Sequence, residues 1–152
     1  MRAVIQRVST AELRIDGQVH ATIDGGLVVL LGVGPDDTPD DVDWLAGKIL
    51  SMRIFADEQD RMNRSVIDVD GGLLIVSQFT LFADTKKGNR PSFLRSAKPD
   101  AAIPLYESFL ENMRSRYAAD RVVAGVFGAD MKVSLTNDGP VTIVMDTHQR
   151  DF

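Results

Sequence analysis

The sequence predicts an α+β fold: a single domain over residues 1–152, with a largely antiparallel, barrel-like β-sheet and two main helices. Three observations point there. Short apolar runs outnumber stretches with helical spacing. Many neighbouring runs are joined by brief turn signals such as Asp16-Gly17 and Asp70-Gly71-Gly72. A doubly wound parallel sheet would need a helix after most strands, and the pattern does not supply them.

The first strand is expected over residues 3–8, and residues 12–16 alternate polar and apolar as a half-buried strand does. Asp16-Gly17 then turns the chain toward a strand near residues 21–23. Residues 27–33 are continuously apolar and read as a buried strand. Thr38-Pro39-Asp40-Asp41 marks a helix start: a capping hydroxyl, a proline suited to the first position and two acids that complement the dipole. Val42, Leu45, Ile49 and Met52 continue it at helical spacing. Residues 53–55 form a short strand before the acidic turn 57–60, and residues 73–82 form a long one. A second helix is predicted over 101–117, with Pro104 in its first turn and Leu105, Phe109, Met113 and Tyr117 as its buried stripe. Strands at 122–123, 132–136 and 141–145 complete the domain, and a polar tail, 146–152, carries no assigned role.

Composition narrows the function classes. With 44% hydrophobic and 26% charged residues, the 152-residue chain is an ordinary globular domain able to bury a core unaided. It contains no cysteine, which removes a disulfide framework, a thiolate nucleophile and cysteine-held metal. That is compatible with a reducing cytoplasm. Arg7 cuts short the apolar N-terminus, so no signal-peptide core is expected, and no run approaches the roughly 18 apolar residues a membrane span needs. A net charge of −5 argues against broad, sequence-blind binding of nucleic acid. A local basic patch remains: Lys86, Lys87, Arg90, Arg95 and Lys98 occur with no carboxylate between them.

Familiar catalytic motifs are missing. The two histidines, His20 and His148, belong to no metal-ligand pair, so neither a zinc site nor any other metal or cofactor is expected. There is no Gly-x-Ser-x-Gly elbow and no phosphate loop, and Gly32-Val33-Gly34 lacks the third glycine of a dinucleotide site. Four segments remain. Ser77-Gln78-Phe79-Thr80-Leu81 ends an apolar run. It reads either as an ordinary strand with polar residues toward solvent, or as a place where pairing stops and the N–H groups of Phe79 and Thr80 are free to stabilise an oxyanion. Ser77 or Thr80 as a nucleophile is less attractive, because no base lies nearby in sequence. Asn137-Asp138-Gly139-Pro140 reads as a structural turn or, with a cis peptide, as two carbonyl oxygens held side by side. Residues 86–93 are a solvated loop or a seat for phosphates and a stacked terminal base. Arg7, on the first strand, calls for a carboxylate or carbonyl partners.

Along nearly its whole length the chain resembles the bacterial-type D-aminoacyl-tRNA deacylases. The resemblance runs through Ala3-Val4-Ile5-Gln6-Arg7-Val8, Leu30-Leu31-Gly32-Val33, Arg53-Ile54-Phe55 and Met62-Asn63. It continues through Val76 to Leu81, Arg90-Pro91-Ser92-Phe93, Phe127-Gly128-Ala129-Asp130-Met131 and Val133-Ser134-Leu135 to Val141-Thr142. Each segment alone is weak, but all of them in order and at family spacing are highly specific. The resemblance implies a cytoplasmic homodimer that hydrolyses the ester of D-aminoacyl-tRNA, and of glycyl-tRNA mischarged on tRNA-Ala, as chiral proofreading. It implies that Ser77, Gln78, Phe79 and Thr80 line the catalytic pocket. Gly139-Pro140, a cis element held by Arg7, would act across the subunit interface and reject L-amino acids. Phe127, Ala129 and Met131 would line the amino-acid end. Lys86, Gly88, Asn89, Pro91 and Phe93 would receive the 3′-terminal adenosine. Two competing readings are a non-catalytic tRNA-binding module and a hydrolase of small esters or amides.

Overall fold

In the computed structural model, which describes residues 1–151, β1 (Arg2–Ile15) organises the sheet. It is one 14-residue strand where the sequence predicts two. Ser9 and Thr10 look like a break because both are exposed, yet pairing continues past them at Thr10 opposite Thr136. On one side β1 pairs antiparallel with β2 (Gln18–Ile23) and β3 (Gly26–Gly32). Asp16 and Gly17, at φ 50° and 76°, make the expected hairpin turn. On its other side β1 pairs along its length with β8 (Met131–Asp146). That strand replaces the two predicted at 132–136 and 141–145, so Asn137–Pro140 is an insertion within a strand and not a turn between strands.

β3, β6 (Gly72–Ser77) and β7 (Val122–Ala124) run parallel, so the sheet is mixed, with antiparallel pairing around β1. Each parallel pair needs a crossover, and the two helices supply them. α1 (Pro39–Ser51), with the small hairpin β4 (Phe55–Ala56) and β5 (Met62–Arg64), joins β3 to β6. α2 (Pro99–Arg116) joins β6 to β7. His20 Nε2 lies 3.1 Å from the carbonyl oxygen of Ala124, which brings β2 beside β7 and nearly closes a barrel.

Alternation along the strands builds two cores. Leu27, Val29 and Leu31 pack with Leu73 and Ile75 under the helices, against Leu45, Ile49, Phe109 and Met113. Val28, Leu74 and Val76 point the other way, onto Val8, Leu13 and Ile23. α1 starts as predicted, with the N–H of Thr38 donating to Asp41 over 2.9 Å. In α2 the buried stripe is Ala102, Tyr106, Phe109, Leu110 and Met113, while Leu105 and Tyr117 pack at its margins. A strict four-residue spacing drifts off the core face, because the helix repeats every 3.6 residues.

The tail folds back. The N–H of Thr147 donates to the carbonyl of Met1 over 2.9 Å, and Arg150 sits 4.2 Å above the Trp44 ring. Among the described residues, no helix is long and apolar enough to cross a membrane.

Candidate active site

β6 stops at Ser77, five residues short of the predicted strand end, and Phe79–Phe82 forms a tight 3-10 turn. Side chains 78 and 80 therefore do not share a strand face. The amide of Gln78 still bonds the carbonyl of Leu31 at 2.8 Å, and the turn closes through Leu81 N–H to Gln78 O at 3.2 Å. Between them, the N–H groups of Phe79 and Thr80 have no acceptor among the described residues. Gln78 Nε2 donates to the hydroxyl of Thr80, which ties that side chain down.

Two glycines allow the turn to sit this low. A Cβ on Gly32 would stand 2.9 Å from the Gln78 oxygen, and one on Gly34 would stand 3.0 Å from the Phe82 ring. The Gly32-Val33-Gly34 segment is thus a close-approach surface, not a nucleotide motif.

Beside the turn lies a groove of about 710 Å³ whose walls are mostly apolar. Phe79, Phe93 and Phe127 line it, with Leu94, Pro99 and Lys98. Phe79 is 54% exposed and meets Phe93 edge to face at 5.1 Å, so the pair offers a stacking surface. Phe127 is braced edge to face on Tyr106 at 5.7 Å. Ala129 lies just past Phe127, its N–H bonded to the carbonyl of Val126 at 3.1 Å. Met131 turns away, into the second core beside Leu13.

The basic loop is pinched at its base by paired backbone bonds between Asp84 and Ser92, at 2.8 and 2.9 Å. Lys86, Gly88, Asn89 and Pro91 are exposed on it, and Gly88 adopts φ 69°. Arg95 is paired to Asp84 at 3.9 Å, so the cations of the loop tip are Lys86, Lys87 and Arg90. No histidine or carboxylate lines the groove among the described residues.

Gly139-Pro140 is a cis peptide on the insertion in β8. Arg7, only 14% exposed in its side chain, supports it. Its Nε donates to the Asp138 carbonyl at 3.0 Å, and another guanidinium nitrogen donates to the Ile54 carbonyl at 2.6 Å. Asn137 closes the insertion, accepting the N–H of Val141 at 2.8 Å. Gly139 and Pro140 themselves are exposed. Within one chain they do not meet the groove. Arg7 lies four residues along β1 from Ala3, whose ladder leads through Leu31 to Ser77. At about 3.3 Å per residue, Arg7 and the register of Ser77 are offset by roughly 13 Å along the strands.

Asp37, Asp41 and His148 place one ligand-type atom each within 4.8 Å of one another, and none of the three lines the groove. The cluster is satisfied internally: Asp37 accepts from the terminal amine of Met1 and from the Gly34 N–H at 2.6 Å, with His148 at 2.8 Å.

The model of the family described as D-Tyr-tRNA(Tyr) deacylase matches residues 4–146. The chain belongs to this family. Among curated relatives, a protein of Flavobacterium johnsoniae is 57% identical over 99% of this chain and 100% of its own. One of Opitutus terrae is 58% identical with the same coverage. Both are named D-aminoacyl-tRNA deacylase. Among solved structures, one titled c-Myc DNA Unwinding Element Binding Protein superposes with a TM-score of 0.92 at 40% identity, covering 96% of this chain and 98% of that one. A probable eukaryotic D-amino acid tRNA deacylase shares the fold, with a TM-score of 0.80 at 20% identity, covering 95% and 97%. Sequence reasoning missed Arg2 and set aside Gly32 and Gly34, three residues that shape the site of this deacylase-family protein. None of them carried a readable local signal, since each matters only through a close approach to the distant 79–82 turn.

Proposed function

We propose that the protein hydrolyses the ester of D-aminoacyl-tRNA, releasing free D-amino acid and tRNA. The observation that carries this is the pair of free N–H groups at Phe79 and Thr80, beside a groove with aromatic walls, in a chain whose full-length relatives bear that name. The acyl ester is already activated, so oriented binding and an oxyanion seat account for much of the catalysis. The groove offers no protein base, and this favours assistance from the 2′-hydroxyl of the terminal adenosine. That adenosine would stack at Phe79 and Phe93 with its phosphates toward Lys86, Lys87 and Arg90.

The protein would act as a cytoplasmic homodimer in which Gly139-Pro140 of the partner subunit enters the groove. The offset of roughly 13 Å along the strands between Arg7, which supports this element, and the register of Ser77 in one chain supports this arrangement. The carbonyls of that element would stand against the α-carbon. An L side chain would collide with rigid backbone, while a D side chain would leave toward solvent. Selectivity would then rest on exclusion. Glycyl-tRNA mischarged on tRNA-Ala would be cleaved as well, since glycine has nothing to exclude.

The test is deacylation of D-Tyr-tRNA, L-Tyr-tRNA and Gly-tRNA by the purified protein, with and without a chelator. Cleavage of the D and glycyl esters, with the L ester spared and the chelator inert, is expected. Equal rates on D and L esters would defeat the exclusion mechanism. No cleavage, with tRNA bound regardless of its aminoacyl group, would leave a non-catalytic tRNA-binding module.

A further inference from the structure

We infer that Arg2 is a positioning residue for the reaction, holding the Phe79–Phe82 turn so that its free N–H groups keep their aim. The inference rests on the deacylase reading. The guanidinium of Arg2 makes three contacts at once. One terminal nitrogen donates to the Leu81 carbonyl at 3.0 Å. Its Nε donates to Asp146 at 2.8 Å. Its centre lies 4.7 Å above the Phe82 ring. The turn also rests on the Gly32 and Gly34 backbone, and Gly32 is the cross-strand partner of Arg2. Glycine backbone and a flat cation thus hold the turn together. Among the described residues, Arg2 is the one side chain that hydrogen-bonds a backbone oxygen of the turn.

The clamp also reaches the tail, because Asp146 ends β8 and accepts the N–H of His148 at 2.9 Å. Arginine suits this task and lysine does not. A planar fork can serve a carbonyl and a carboxylate while stacking on a ring, whereas an ammonium is a single point. Oxyanion donors work within a few tenths of an ångström, and a 1 Å displacement can cost on the order of 100-fold in rate.

The test is steady-state deacylation of D-Tyr-tRNA by the full chain, its Arg2→Ala, Arg2→Lys and Asp146→Asn variants, together with amide hydrogen exchange over residues 79–83. We expect Arg2→Ala to lower kcat by about tenfold with KM within about twofold. Exchange at Leu81 and Ala83 should quicken, and millimolar guanidinium should restore part of the rate. Arg2→Lys should recover little, and Asp146→Asn should show a smaller kcat loss without touching the Leu81 contact. Unchanged kcat in Arg2→Ala overturns the inference. So does a defect confined to KM that Arg2→Lys repairs, since Arg2, 38% exposed in its side chain, would then be binding phosphate. A wild-type protein that leaves D-Tyr-tRNA intact fails the deacylase reading instead. The exchange data then decide whether Arg2 holds the turn: unaltered exchange at Leu81 and Ala83 in both the Arg2→Ala and Asp146→Asn proteins rejects the clamp.

Discussion

Gly139 and Thr80 invite opposite substitutions. Gly139 sits at φ 137°, where an L side chain is strained, and a Cβ there would stand 2.7 Å from Val141 Cγ2 and 3.2 Å from Arg7. Gly139→Ala should therefore push the insertion off its Arg7 support and destabilise the fold by about 1–3 kcal/mol. In D- versus L-Tyr-tRNA assays, its discrimination should fall far more than its thermal midpoint suggests. Thr80→Ala removes a hydroxyl that Gln78 already engages and leaves the backbone N–H in place. Its rate should stay within about tenfold of wild type, below the usual cost of deleting an oxyanion donor. Near-total loss from a folded Thr80→Ala protein would make Thr80 the nucleophile.

At the scale of elements, the 79–82 turn and the tail carry the consequences. Gly32→Ala would force its Cβ against the Gln78 oxygen, 2.9 Å away, and lift the turn from β3. Overpacking of that kind costs about 1–3 kcal/mol, and kcat should drop by more than the stability change implies. A Gly32→Ala enzyme with wild-type kcat would show that the turn tolerates displacement. In the tail, burial works to raise the carboxyl pKa of Asp146, but the bonds from Arg2 and the His148 N–H, and the nearby positive charges, hold it below the ordinary value. A carboxyl depressed in the folded state contributes stability that is complete above its unfolded pKa, about 3.9, and is lost as pH falls through the folded value. Urea midpoints of Asp146→Asn should therefore depend less on pH below about 4 than those of the parent. Parallel curves would mean that the Arg2–Asp146 pair adds no acid-sensitive stability.

Over the whole molecule, the two cores meet the sheet from opposite faces, and Tyr106 couples α2 to it. Burial pushes this phenol up to about 12, and its hydroxyl lies 3.3 Å from the Ile75 carbonyl. A group whose folded pKa is raised contributes stability that is whole below its unfolded pKa, near 10, and lost as pH rises through the folded one. Stability should thus fall between about pH 10 and 12 by an amount that Tyr106→Phe removes. The phenylalanine variant should start about 1 kcal/mol lower at neutral pH from the lost hydrogen bond. Identical alkaline profiles would show that Tyr106 ionises without unfolding cost.

The α+β class, the two helices, the β3 and β6 runs, the hairpin at Asp16-Gly17 and the family are all legible in the linear chain. These depend on local periodicity, turn chemistry and ordered motifs, all of which a linear chain displays. Tertiary structure alone decided that β1 and β8 are each single strands. It also ended β6 at Ser77 and laid a tight turn on Gly32 and Gly34. Strand continuity past Ser9 or Asn137 depends on a partner more than 100 positions away, which no local window contains. Arg2 acquires its place in the same way: its partners, Leu81 and Asp146, are remote in sequence and converge only once β1 lies between β3 and β8.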